Sequence, residues 1–264
     1  MNVFLFEFKQ YRKALIGWTI GLLVILSIYM PFLPAFMNEG ESMRSFFEGL
    51  GGMVIKGAGI NIDLFFQAIG FYGFIFMLVG LAGAIQALSM GLSVISKEGT
   101  MRAADFLMTK PCRRSVTFLA KAAAVYCCLL ITEVIFFIGA AAWLLLGTKG
   151  VPVLEFTLVT LTLVYIQFFF FMLGLLVGAF ARKVKSVPSV ALGIALFCFM
   201  LGIVANITDS EWIRYLSPLR YFDNNHIIAY GAYEAKYLIL NFALAIIMGI
   251  AAFIRYVLRD IKAV

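Results

Sequence analysis

Histidine occurs once in this chain, at position 226, and cysteine only four times. Cys112, Cys127, Cys128 and Cys198 all fall in or beside apolar runs, so the sequence offers neither metal-ligand spacing nor a disulfide framework. Charge is scarce as well: 13% of residues are charged against 63% hydrophobic, and the mean hydropathy is +1.00. Those values lie far from a soluble globular domain. Nor do apolar and polar residues alternate over stretches of roughly ten positions, as a membrane β-barrel strand requires. No G-x-x-x-x-G-K-[ST] run is present to cradle nucleotide phosphates on backbone amides. At membrane depth the apolar runs offer one carboxylate and no histidine, which speaks against an intramembrane enzyme.

What the chain has is apolar length. A bilayer core needs about 20 predominantly apolar residues per helix. Six stretches meet or approach that: Ala14 to Met37, Leu64 to Ile95, Val116 to Gly147, Pro152 to Ala181, Val187 to Asn206 and Tyr237 to Leu258. Their continuity predicts an all-α polytopic membrane protein, with residues 1–264 forming a single domain. The first run is too long for a signal-peptide core and is read as an uncleaved span.

Lysine and arginine accumulate in short cytoplasmic loops. With the N-terminus inside, fifteen of the 21 basic residues fall on the cytoplasmic side. Most of the acidic residues fall opposite, in the segments around 38–63 and 207–236. Both termini are therefore expected in the cytoplasm. The net charge of +7 follows from this topology and from anionic lipid, without a nucleic-acid partner.

Near the N-terminus, Phe4, Phe8, Tyr11 and Leu15 form a helical stripe with Lys9 and Lys13 roughly opposite. This pattern predicts an amphipathic interfacial helix over residues 1–13. The alternative is that the stretch begins the first span early. The longest cytoplasmic connection, 96–115, reads SKEGTMRAADFLMTKPCRRS. Thr100 is a cap for a short helix over Met101 to Met108, and Pro111 fits the first turn of the third span. That geometry presents Glu98, Arg102 and Asp105 to the cytosol beside Phe106, Leu107 and Met108.

Glu133 lies near the middle of the third span, where a charged carboxylate costs about 2.5–3.5 kcal/mol on insertion scales. A substrate or proton-coupling role and a buried, protonated or hydrogen-bonded carboxyl are both open. Gln86 and Gln167 are its candidate partners, or line a path with it. Gly17 and Gly21, and again Gly174 and Gly178, form G-x-x-x-G pairs that permit close helix contact. Trp212, Tyr215, Pro218 and Tyr221 suit short interfacial helices in the 207–236 segment.

Glu98-Gly99-Thr100, Asp105-Phe106-Leu107, Thr109-Lys110-Pro111, Arg113 or Arg114, and Lys121 resemble in order the first cytoplasmic loop of ABC-2 type transporter permeases. The acidic residue before the hydrophobic pair comes three positions late, across Arg102 to Ala104, and Arg113 stands in place of the family's usual serine. The opening FEFKQYRKALIGWTIGLL, the segment FFEGLGGMVIKGAGI and the later YLSPLRYF are similar to the family too, so the resemblance covers most of the chain.

The resemblance implies the ABC-2 exporter permease fold: six transmembrane helices that pair with a second permease, identical or related. Separate cytoplasmic ABC ATPase subunits would dock on the 96–115 loop and the N-terminal helix and drive alternating access. ATP and magnesium would sit on those partners, leaving this chain without a cofactor or catalytic activity of its own. The coupling residues so implied are Glu98, Gly99, Thr100, Arg102, Asp105, Phe106, Leu107, Pro111, Arg113 and Arg114. An ion-gradient-driven secondary transporter is the alternative, although the inverted repeats usual in such folds are not detected.

Overall fold

The computed structural model describes residues 3–38, 44, 49, 51–97, 113–147, 151–181 and 184–258. Their regular structure is entirely helical. The six long helices are α1 (Val3–Tyr29), α5 (Ala68–Ser96), α6 (Arg114–Gly147), α7 (Val153–Phe180), α8 (Val187–Thr208) and α11 (Ala235–Leu258). Short helices fill in between: α2 (Leu33–Asn38), α3 (Gly52–Gly57), α4 (Ile62–Phe65), α9 (Glu211–Leu216) and α10 (Asn224–Tyr230). All six long helices are long and apolar enough to cross a membrane. In lipid every backbone amide must be paired within its own segment, which a helix achieves and an open strand does not.

Residues 3–13, part of the segment 1–13 expected as an interfacial helix, are continuous with the first span. No proline interrupts the chain before Pro31, so α1 runs unbroken from Val3 to Tyr29. At 1.5 Å per residue its 27 residues extend about 40 Å, longer than the hydrocarbon core of about 30 Å. The apolar stripe also turns inward. Tyr11 and Leu15 are buried in the bundle and Phe4 and Phe8 half-buried, while Leu5 and Phe6 are exposed.

Proline and small polar residues set the remaining boundaries. Pro31 lies in a tight 3-10 turn, Met30–Phe32, that ends α1. Ser186 caps α8 by accepting from the Ser189 amide at 3.4 Å. At the other end of α8, Asp209 adopts a left-handed conformation (φ 49°) and its carboxylate pairs with Lys56.

The bundle is organised on α5 and α7, whose spanning windows are 61% and 56% buried, against 22% for α11 and 28% for α1 and α8. They pack backbone to backbone. A β-carbon on Gly174 would lie 2.6 Å from the Leu88 carbonyl oxygen, and one on Gly91 would lie 2.5 Å from that of Phe171. Gly178 likewise faces the Leu92 carbonyl at 3.1 Å. The Gly174 and Gly178 pair thus serves a contact inside the chain, whereas Gly17 and Gly21 meet nothing within 4 Å. Around this pair, α1 packs on α6, α11 on α7, and α8 on α5.

Gly174→Ala is expected to lower the unfolding midpoint in detergent, since overpacking a close contact costs about 1–3 kcal/mol. Gly17→Ala is expected to leave it unchanged or raise it slightly. Equal melting of the two variants by circular dichroism would show that the glycine contact does not hold the central pair.

Candidate functional site

At the end of the bundle that carries Lys97 and Arg113, three helices are joined by polar contacts. Glu7 of α1 forms an ion pair with Lys121 of α6 at 3.2 Å, with side chains only 8% and 6% exposed. One turn along α1, the Tyr11 hydroxyl shares a 2.8 Å hydrogen bond with the Ser93 hydroxyl of α5. The Lys97 ammonium, just past the end of α5, lies 4.5 Å from the centre of the Tyr11 ring. Half-burial pulls that ammonium below its ordinary pKa range, with Glu7 opposing and Lys121 adding to the shift. A buried carboxylate–lysine pair is thus held where α1 and α6 meet, next to the hydroxyl bond of α1 with α5.

Deeper in the bundle, a second polar chain crosses four helices. Thr19 of α1 donates to Thr132 of α6 at 3.1 Å. The Gln86 amide of α5 reaches the same Thr132 hydroxyl at 3.2 Å, and the Gln167 amide of α7 donates to the Gln86 oxygen at 3.3 Å. In an apolar medium, each of these groups left unpaired would be costly.

Gln86 and Gln167 therefore meet each other. Neither hydrogen-bonds to Glu133, whose two carboxyl oxygens are buried without a hydrogen-bond partner among the described residues. The expected trio is a bonded pair with the carboxyl separate from it.

Of the residues implied to couple to an ATPase, Arg113 and Arg114 are described, and both are exposed at the start of α6. Arg113 precedes the helix, its carbonyl accepting from the amides of Val116 and Thr117 at 3.0 and 3.1 Å. Glu98, Gly99, Thr100, Arg102, Asp105, Phe106, Leu107 and Pro111 lie outside the described residues. Of the interfacial residues, Phe4 and Phe8 stack with ring centres 6.2 Å apart, and Tyr11 belongs to the polar cluster.

Residue-by-residue reading missed the pair of Glu7 with Lys121 and, separately, the contact of Thr19 with Thr132. A signal existed for Glu7 and Thr19. Glu7, Tyr11, Leu15 and Thr19 recur every four residues, and all four are buried.

The family described as ABC-2 family transporter protein matches residues 1–259. The chain belongs to that family. It is accordingly a multi-pass membrane protein and a permease of an ABC transporter, and its family implies an ABC ATPase as partner. Permeases of this family are transmembrane components and generally non-catalytic. Among curated proteins, none matches the chain.

Two stability outcomes follow for this permease. Lys121→Met leaves the Glu7 carboxylate buried and unpaired and is expected to cost about 3–5 kcal/mol. The double variant Glu7→Gln with Lys121→Met should recover most of that loss, and a double-mutant cycle by thermal unfolding in detergent reads the coupling directly. Glu133→Leu removes an unpartnered buried carboxyl and is expected to raise the unfolding midpoint; a lowered midpoint would show that the carboxyl holds a structural partner.

Proposed function

We propose that this permease exports a substrate across the cytoplasmic membrane by alternating access, driven by separate ATPase subunits docked on the segment between Lys97 and Arg113. The observation that carries the reading is the pairing of family membership over residues 1–259 with the position of that segment. It connects the central helix α5 to α6, and its two flanks bear Lys97, Arg113 and Arg114. The excess of basic residues in the connections on this side supports a cytoplasmic location, with both chain ends inside. ATP and magnesium then belong to the ATPase subunits.

Movement of the docked subunits would enter at Glu98 to Pro111 and pass into α5 and α6 at their roots. From there the ion pair of Glu7 with Lys121 and the bond of Tyr11 with Ser93 carry it to α1. A second permease copy, or a related permease, completes the pathway. Glu133, Gln86 and Gln167 are the polar groups at membrane depth proposed to meet cargo along it. A transmembrane carboxyl without a partner is the kind of group that marks a substrate or proton path.

The test is affinity purification in mild detergent from the native cell, with every stoichiometric companion identified. An ATPase subunit should co-purify with the intact chain. It should be lost when Glu98 to Asp105 is replaced by a flexible linker, while the monodispersity and melting of the permease stay unchanged. Recovery of the chain alone, with transport driven by an ion gradient and indifferent to ATP, would overturn the proposal in favour of a secondary transporter.

A further inference from the structure

At the end of the bundle opposite Lys97 and Arg113, a pocket opens between α5, α7, α8 and the short elements around residues 57–61 and 218–228. Six glycines line it, at positions 57, 59, 70, 73, 80 and 202. Two of them make room for one side chain. A β-carbon on Gly202 would lie 2.8 Å from Cγ of Arg220, and one on Gly59, itself left-handed at φ 66°, would lie 3.1 Å from Nη1 of the same arginine. The guanidinium is thus let into the pocket wall by the absence of side chains on both sides of it.

The polar groups there are distributed unevenly. Asn206, Asn224 and Asn225 each donate the side-chain amide nitrogen to a backbone carbonyl, those of Gly57, Gly73 and Gly59, at 3.1, 2.7 and 2.8 Å. A carbonyl only accepts, so each amide nitrogen spends one of its two hydrogens there and keeps the other beside its oxygen. Among the described residues, Asn224 Oδ1 is buried with no hydrogen-bond partner, and so is Arg220 Nε. The contact of Arg220 with Asp223 is long, at 3.4 Å, and the other oxygen of Asp223 accepts from the backbone N–H of Asn225 at 3.0 Å. Burial pulls the Arg220 guanidinium below its ordinary pKa range, with Asp223 and Glu234 opposing and Arg214 adding to the shift.

Among the described residues the pocket therefore sets an unpaired acceptor, Asn224 Oδ1, near an unpaired donor, Arg220 Nε, between apolar walls that include Phe74, Met77, Phe199 and Ile203. We propose that it binds a zwitterionic amphiphile whose head group carries a primary ammonium and a phosphate. The phosphate sits on Arg220, the ammonium hydrogens on the oxygens of Asn224 and its neighbouring amides, and the apolar body lies along the helix walls. Hydrogen bonds between charged and polar partners are the strong kind, and here both partners are already desolvated. The site needs neither the ATPase nor a direction of transport.

The unpaired Asn224 oxygen makes a sharp distinction, because it can only accept. Ethanolamine and choline head groups carry the same charges, but choline has no N–H to give. A quaternary ammonium would instead favour the aromatic faces. Native mass spectrometry of the delipidated full chain, titrated separately with phosphatidylethanolamine and phosphatidylcholine of matched acyl chains, reads the difference without any mutation. The ethanolamine lipid should bind about tenfold tighter. Asn224→Ala should erase most of that preference, and Arg220→Gln should weaken both lipids.

Competition with soluble phosphoethanolamine separates the two sources of the head group. Displacement by the soluble compound at comparable concentration assigns the site to the head alone, and displacement only by lipid assigns it to a bilayer or amphipathic ligand. Equal binding of the two lipids, preference for choline, or a preference retained in folded Asn224→Ala would each overturn the proposal. Loss of ATPase co-purification would leave this result untouched.

Discussion

The close contact of α5 with α7 is the constraint on which the other helices depend. Hydrophobic burial gives little drive between helices already in lipid, so packing and hydrogen bonding must hold them together. Glycine supplies the first by letting two backbones touch. Gly91 faces the Phe171 carbonyl while Gly174 faces that of Leu88, so each helix notches the other. Once that pair is fixed, Gln86 and Gln167 are brought within hydrogen-bond reach, and so are Tyr72 and Thr160, at 2.8 Å. The outer helices then attach to surfaces this pair defines.

Those attachments differ at the two ends of the bundle. Where Lys97 and Arg113 lie, α1, α5 and α6 are joined by a buried ion pair and a hydroxyl pair, a geometry that tolerates little slippage. At the opposite end the contacts run between short elements and backbone carbonyls. Asn206, Asn224 and Asn225 reach across to the glycine-rich stretch, the Arg214 guanidinium pairs with Glu234 and covers the Tyr237 ring at 3.9 Å, and Tyr221 donates to the Tyr215 carbonyl at 2.6 Å. One end is a compact charged joint and the other a laced cap.

Helix positions were legible in the sequence because lipid demands continuous apolar length. The expected second run, Leu64 to Ile95, becomes α5 at Ala68–Ser96, and the expected fifth, Val187 to Asn206, becomes α8 at Val187–Thr208. The first helix departs most. The stripe of Phe4, Phe8, Tyr11 and Leu15 opposite Lys9 and Lys13 suggested a surface helix, yet the two lysines are exposed on one side of an unbroken α1 whose other side is buried. Within the candidate site, a glutamine in an apolar run announces that it needs a partner but not which one. Glu7 and Lys121, far apart in the chain, each read alone as an ordinary cytoplasmic charge. Only the fold shows that they share one dehydrated space.

The pinning of α1 has a mechanical consequence. Lys97 and Arg113 are the two feet of the intervening segment, and they stand on α5 and α6. Tyr11 ties α1 to the first through Ser93, and Glu7 ties it to the second through Lys121, one turn apart on the same helix. A load applied between the feet therefore meets a crossbar. Spreading them requires breaking a bond at the crossbar, whereas tilting all three helices together breaks none, so the stiff response is to separation and the soft one is to rotation as a unit.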